Sequence, residues 1–572
     1  MRQRSESVPG VTQPAKNAHH AWMRGGALAA VIAWAAAAGP AAAEIVFFGS
    51  INPSPPGLSG SNLVVGDDDA SNDVTLGYLE VNGGTTLDYN RLVIGDENDF
   101  VGDVVVTGAG SSILLTDTNA SNDPALQVGE FGTGRLMITD RGFVDVSDTS
   151  NSSGSNGTAV LGFETSAAGF VTVDGRLSRF AVGDNLIIGR SGYGELTVTG
   201  GAFAYFADPD DGLLVLGQNA PGAGVATVDG AGTFFQLPQT VTVGGAGAGT
   251  LRITNGASAD GANNFSGSFT VGDRGLVELA GGGRLLTDAM DINGRVQGDG
   301  LITGRVTISA DGQVTAASGD RLRFTGDVTN QGLIDASGSD TGRAEIELLG
   351  ALTNTDPGGA NPPGRIAVGD GVVRFNQPLV NNGVLASTSG VTDFHGTITN
   401  GATGLIAIGG GSNATFYDNV SVTAGTLNIA AGSTALFLGD ISISAGVSLA
   451  IEIDEGATQD GFNTPLQSSG VAQLNTPISL SLAPGFVPEA GASFDLVSAA
   501  GGVSVGVIDA NNFDPLPQGL AWSLQNTGNT LSAVVSTDGV DPGLNPQVAT
   551  GDFNGDGFVD GADYALWRGS LG

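Results

Sequence analysis

One pattern of apolar and polar positions recurs along the first half of the chain. Each unit reads apolar-x-apolar-Gly, then a turn, then an alternating strand that ends in Gly-rich sequence. The first elements are LVVG, LVIG, LQVG, AVLG, LIIG, LVLG, VTVG and FTVG, whose glycines are Gly66, Gly95, Gly129, Gly162, Gly189, Gly217, Gly244 and Gly272. Their spacing is 27 to 34 residues and settles near 28. The strands that follow include LEVNGG, VVVTGAG, LMITDRG and LTVTGG, and in several units a third short apolar stretch such as ILLTD or FAYFAD comes next. Alternation with a period of two places every second side chain on one face of a strand. A unit of this size cannot bury that face alone, but stacked neighbours share a continuous core. The pattern predicts two or three strands per unit and one coil of a parallel β-solenoid.

A second array follows with a shorter period. Aligning LRFTGDVTNQGLIDAS, VRFNQPLVNNGVLAST, TDFHGTITNGATGLIAIG, ATFYDNVSVTAGTLNIA and ALFLGDISISAGVSL brings Phe324, Leu348, Phe375, Phe394, Phe416 and Phe437 into one column. Their separations of 24, 27, 19, 22 and 21 predict one coil per repeat, with Phe stacked on Phe inside. The expected organisation is a leader over 1–43, a 28-residue array over 44–310 and a 22-residue array over 311–449. A β-rich closing segment over 450–536, a linker over 537–550 and a short tail over 551–572 complete it. The fold class expected is all-β: a parallel β-solenoid with a C-terminal calcium loop and helix, about fourteen coils long.

Composition supports this and removes several functions. The 572 residues include 94 Gly, and 41% are apolar. Only 14% are charged, which separates the chain from plainly disordered sequences. There is no Cys, so disulfides, thiolate metal sites and Cys nucleophiles are excluded. The leader holds Arg2, Arg4, Lys16, Arg24 and Glu6; the rest of the chain therefore carries 17 basic and 57 acidic residues, a net charge of −40. Such a surface repels nucleic acid and anionic lipid and attracts cations. No Lys follows Lys16, which rules out a Lys-bearing phosphate loop.

The stretch MRGGALAAVIAWAAAAGPAAAE, residues 23–44, has a positive start, an apolar run and an Ala-x-Ala ending. It reads as a secretory signal peptide cleaved after Ala43, with Met1 and Met23 both available as the start. The run from Ala27 to Ala38 is too short to span a bilayer, so no transmembrane segment is expected. The protein is expected to be secreted or held at the cell surface.

The quoted repeats resemble a known class. The Thr-Asn-x-Gly-x-Ile pattern (VTNQGLI, LVNNGVL) and the IIGRSGYGELTV pattern look like repeats of autotransporter passenger-type surface proteins. The block over 449–524 resembles the segment that closes such arrays in bacterial proteins of the PEP-CTERM type. The resemblance implies a β-helical surface protein.

The tail, GDFNGDGFVDGADYALWRGSLG, differs from everything before it. It places Asp552, Asn554, Asp556, Gly557, Phe558, Asp560 and Asp563 at positions 1, 3, 5, 6, 7, 9 and 12 of the calcium-loop template. Gly at position 6 permits the sharp turn, position 7 supplies a backbone carbonyl, and the remaining side chains supply the oxygens a hard cation requires. Calcium is the expected ligand. Asp at position 12 is similar to the dockerin type I repeat, a calcium loop followed by one helix, here from about 561 to 568. The segment corresponds to one of the two loops a dockerin carries. That resemblance implies a cohesin-like or other cell-surface partner.

No catalytic constellation emerges. His395 is the sole histidine after the leader, there is no Gly-x-Ser-x-Gly elbow, and FHGT reads as a turn. Acids cluster at Asp67, Asp68, Asp69 and Asp73, at Asp96, Glu97 and Asp99, and at Asp208, Asp210 and Asp211, all expected in turns that Asp favours. The function expected is that of a structural or adhesive surface protein, not an enzyme. The alternative is an extracellular component that binds or degrades polysaccharide.

Overall fold

The computed structural model describes residues 44–537 except 55, 68–74, 117–122, 148–156, 262–266, 340–341, 359–361, 457–463, 507–509 and 511. The described residues are all β, with 53 strands joined in one mostly parallel sheet. The sheet winds as a three-sided solenoid. Face 1 carries the apolar-x-apolar strands such as Leu126–Val128, Ala159–Leu161 and Asn185–Ile188. Face 2 carries the longer strands such as Thr133–Thr139, Ala168–Asp174 and Tyr193–Thr199, and face 3 the third stretch, such as Phe143–Val146, Arg179–Val182 and Phe203–Phe206. Each strand pairs in register with the same strand of the next coil.

The glycines follow from this stacking. In IIGRSGYGELTV, Gly189 has φ +73°, and a Cβ there would lie 2.1 Å from the Ala223 carbonyl oxygen of the next coil. A Cβ on Gly194 would lie 2.2 Å from the Gly189 nitrogen. Both conformation and space demand glycine at the corner between faces 1 and 2.

On face 2 the parallel ladder runs from Leu76–Asn82 to Ile478–Leu482 through seventeen strands. At about 4.8 Å per strand the stack is roughly 80 Å long. That exceeds the fourteen coils expected, because Arg295–Ile302 and Gln313–Ala316 add coils between the two arrays and Ile478–Leu482 adds one beyond them. The same three faces run unbroken through residue 310.

Both ends are closed by a change of direction. Glu44–Gly49 pairs antiparallel with Leu76–Asn82 at the start. At the finish Thr530–Ser536 pairs antiparallel with both Ser493–Ala499 and Ala521–Asn526. Edge-on rings of Phe486, Phe494, Phe513 and Trp522, with centroids 5.7–6.1 Å apart, cover the end of the core. Antiparallel caps of this kind occupy the hydrogen-bonding edge that an open sheet would offer to another chain.

The interior is a column of Leu, Val and Ile with two special ladders. Phe394, Phe416 and Phe437 are buried and stacked, with centroids 4.9 and 4.7 Å apart. Phe324 aligns with Leu348 and Leu348 with Phe375, as expected. Phe375 does not align with Phe394; Val373 does, a shift of two residues. The 19-residue interval is too short to keep the column, and Phe375 packs instead against Gly396, where a Cβ would lie 2.8 Å from the Phe375 Cβ.

The second ladder is polar. Asn330, Asn354, Asn381 and Asn400 are fully buried at the end of successive face-1 strands. Each Nδ2 donates to the next Oδ1, at 2.8, 2.7 and 2.6 Å. The Nδ2 atoms of Asn330, Asn354 and Asn381 also donate to carbonyls of Arg365, Val384 and Leu405. The column ends at Asn400, which donates to the Gly404 and Ala424 carbonyls.

Two stability outcomes follow. Phe416→Ala removes the ring between two others and should cost about 3–5 kcal/mol. Asn354→Leu strips the partner from a buried Asn381 Oδ1 and should cost about 1–3 kcal/mol. Denaturant melts of the two variants check both; a loss under about 0.5 kcal/mol for Asn354→Leu would show that the asparagines act independently.

Candidate functional site

The expected calcium ligands Asp552, Asn554, Asp556, Phe558, Asp560 and Asp563 lie outside the described residues, as do the leader and the linker from residue 538 on. No group of three or more His, Cys, Asp or Glu among the described residues is arranged to hold a metal. No helix there is long and apolar enough to cross a membrane.

Three places depart from plain repetition. The first is the turn after the face-1 glycines. Asp96, Glu97 and Asp99 occupy one such turn, whereas Asp208, Asp210 and Asp211 occupy the corner between the face-3 strand Phe203–Phe206 and the face-1 strand Leu213–Leu216; both are turns, as the sequence suggested. The Asp210 amide donates to Asp208 Oδ1 at 3.3 Å, the self-capping that makes Asp a turn residue. Asp67 is buried, whereas Asp68, Asp69 and Asp73 are outside the described residues. Glu130 follows Gly129 as Asp96 follows Gly95, so stacking brings the two acids together. Burial, and then a hydrogen bond to Asp96 and its charge, push the Glu130 carboxyl up to about 7. Arg91, 3.6 Å from Glu130, opposes this without cancelling it.

The second place is the outer side of face 3 between Arg321 and Leu438. Arg321 and Arg323 sit one coil before Glu345 and Glu347, and Arg374 one coil after. Arg321 and Arg323 reach Glu347 at 2.9 and 2.8 Å, Arg374 reaches Glu345 at 2.8 Å and Arg343 reaches Asp393 at 2.6 Å. Burial raises the Glu347 carboxyl, but Arg323 and Arg321 outweigh it and hold the group below its usual range. His395 is the last residue of the strand Val391–His395, not a turn residue as FHGT suggested. Its ring stacks on Tyr417 with centroids 4.0 Å apart. Burial, then the charge of Arg374, lower its pKa, so the imidazole is neutral at pH 7. Every carboxylate of this strip is engaged with a guanidinium, and the ring faces of His395 and Tyr417 are turned to each other. The chemistry here is consumed in holding coils together.

The third place is a groove on face 2. Asn330 and Leu333 are joined by two residues, and Asn381 and Val384 likewise, but Asn354 and Arg365 are joined by the ten-residue loop 355–364. The Gly364 amide closes the loop on the Thr355 carbonyl at 2.8 Å. Pro362 and Pro363 form a wall beside the face. The outward residues below come from successive coils: Gln313 aligns with Leu333 and Leu333 with Arg365, and Asp335 aligns with Ala367. The register then slips between Val368 and Gly369, which leaves Thr388 as an extra residue at the far rim. Gln331, Ser337 and Asp311 complete the polar side chains of the lining. Sequence reading missed this groove, because its parts lie far apart in the chain; the only trace was the 27-residue interval from Leu348 to Phe375.

No family model matches the chain, and no curated protein matches it.

The Glu130–Asp96 pair sets a pH dependence. A carboxyl whose folded pKa is raised from 4.5 to about 7 stabilises the fold below pH 4.5, and that contribution is lost as pH rises through 7. Glu130→Gln keeps a donor to Asp96 without the charge. It should melt with the wild type at pH 4.5 and at a higher temperature at pH 8; equal melting at both values would mean that the two acids do not share a proton.

Proposed function

We propose that the chain is a secreted or cell-surface structural and adhesive protein, a β-solenoid spacer that ends in a calcium-binding, dockerin-like tail. The observation that carries this reading is the uninterrupted three-faced stack, closed by antiparallel strands at both ends. A stack of that kind holds its two capped ends far apart and exposes long, regular faces. The outer carboxylates of face 3 support a structural role over a catalytic one, since Glu345, Glu347 and Asp393 are each engaged with an arginine side chain. The leader over 23–44 supports export, and the spacing from Asp552 to Asp563 supports calcium at the far end. Magnesium competes poorly at such a loop, because it demands a tighter octahedron and releases its waters reluctantly.

Location and calcium are tested separately. Cells producing the full chain should release it or show it to external protease, and its retention in the cytosol overturns the surface reading. Calorimetry on the full chain should show calcium binding at the weak, extracellular end, roughly 10⁻⁴ to 10⁻³ M. Asp552→Ala and Asp563→Ala should each weaken it strongly, and Asp560→Ala less, because position 9 often coordinates through water. No heat in millimolar calcium would remove calcium from the account.

A further inference from the structure

We infer that the face-2 groove beside Pro362 and Pro363 binds a segment of neutral hexose polysaccharide, with Arg365 and Asp335 as its central hydrogen-bonding groups. The inference rests on the adhesive reading above and supplies its ligand.

The groove is the place where a regular surface has been remade. Face 2 elsewhere is a flat repetition of outward side chains. Here Pro362 and Pro363 stand as a wall, and a slip in register places Thr388 at the opposite rim. Register irregularities of this kind re-aim side chains and are over-represented beside sites. The lining spans four successive coils, from Gln313 through Leu333 and Arg365 to Thr388, or roughly 14 Å along the axis. That length suits a few consecutive rings of an extended polymer, not a compact metabolite.

The lining groups define the chemistry. Gln331 offers an amide that donates and accepts, and Gln313, whose Oε1 already takes Arg295 at 3.1 Å, offers its NH2 group. Asp335 has acceptor positions beyond the one that takes the Ser337 hydroxyl, Arg365 donates from several positions and Thr388 does both. Sugar hydroxyls also donate and accept, so closely spaced groups of mixed sense match them. Leu333, Ala367 and the two prolines supply the apolar patches that the C–H side of a pyranose ring requires. Among the described residues no carboxylate pairs with Arg365, whereas Arg321, Arg323, Arg343 and Arg374 on face 3 are all paired. Arg365 is therefore left to meet a ligand from solvent. Polyanions are disfavoured by the net charge of −40, which repels a uronic-acid chain before it reaches the groove.

Native gels cast with soluble polysaccharides test this on the full chain, with a neutral glucan, a neutral mannan and a uronic-acid polymer as probes. At least one neutral polymer should retard the protein and the uronate should not. Arg365→Ala and Asp335→Asn should each raise the dissociation constant at least about tenfold at unchanged melting temperature. Gln331→Ala, a change at the rim, should do the same to a lesser degree and serves if Asp335→Asn melts early. His395→Ala, on face 3, should bind as the wild type does. Retardation by the uronate alone, by none of the three, or equally for wild type and the Arg365 and Gln331 variants overturns the proposal. None of these results touches the surface location, which the protease experiment decides on its own.

Discussion

The backbone hydrogen bond between one coil and the next is the constraint from which the rest of this molecule follows. It fixes the spacing of strands at about 4.8 Å and it fixes register, so a residue in one coil must sit on its counterpart in the next. Like then meets like along the whole axis, and each column has to tolerate its own repetition. Glycine tolerates it at the face-1 corner, where Gly189 and Gly194 leave no room for a Cβ. Phenylalanine tolerates it because rings at that spacing stack, as Phe394, Phe416 and Phe437 do. Asparagine tolerates it because its side chain is a donor at one end and an acceptor at the other. The buried run from Asn330 to Asn400 is a second ladder built from side chains, parallel to the backbone one.

Charge is the residue property that repetition tolerates worst. A column of acids repels itself, and this chain has 57 of them beyond the leader. Three remedies are visible. Turns place acids such as Asp208 and Asp210 in solvent, where screening is strong. On face 3 the stack alternates sign, with Arg321 and Arg323, then Glu345 and Glu347, then Arg374. Between Asp96 and Glu130 the repulsion is relieved by a proton. The first two hold at any physiological pH, and only the third changes with it.

Much of the fold was legible because repetition writes itself into sequence. The glycine spacing marks face 1, the alternation in LTVT marks face 2, and the apolar runs mark the core. What escaped did so for physical reasons. The register slip after Phe375 is invisible because a 19-residue and a 21-residue interval look alike until Gly396 is seen to receive the Phe375 side chain. Asn354 and Asn381 carry no sign of burial in a local window, and only stacking shows that they are interior. His395 was read as a turn on the same local logic, whereas its ring is held by Tyr417 in the next coil. The candidate site was less legible still: the tail from Asp552 to Asp563 is a local motif and can be read directly, but the groove joins Gln313, Asp335, Arg365 and Thr388, which belong to four coils.

This difference has a physical origin that bears on where solenoids of this kind acquire specificity. Within a coil, any change that alters strand length also shifts every column above it, so the faces resist variation. A corner does not, provided its two ends stay together. The loop 355–364 meets that condition, because the Gly364 amide and the Thr355 carbonyl close it and the Thr355 amide is bonded to Asn330 in the coil before. The columns pass beneath it undisturbed: Asn354 still meets Asn381, and Leu333 still meets Arg365. The insertion thus adds a wall to a face without moving the face. The asparagine ladder lies directly under this corner and bonds to the carbonyl of Arg365 itself. A buried polar column that fixes backbone position is therefore found in the same coils in which the outer surface departs from repetition.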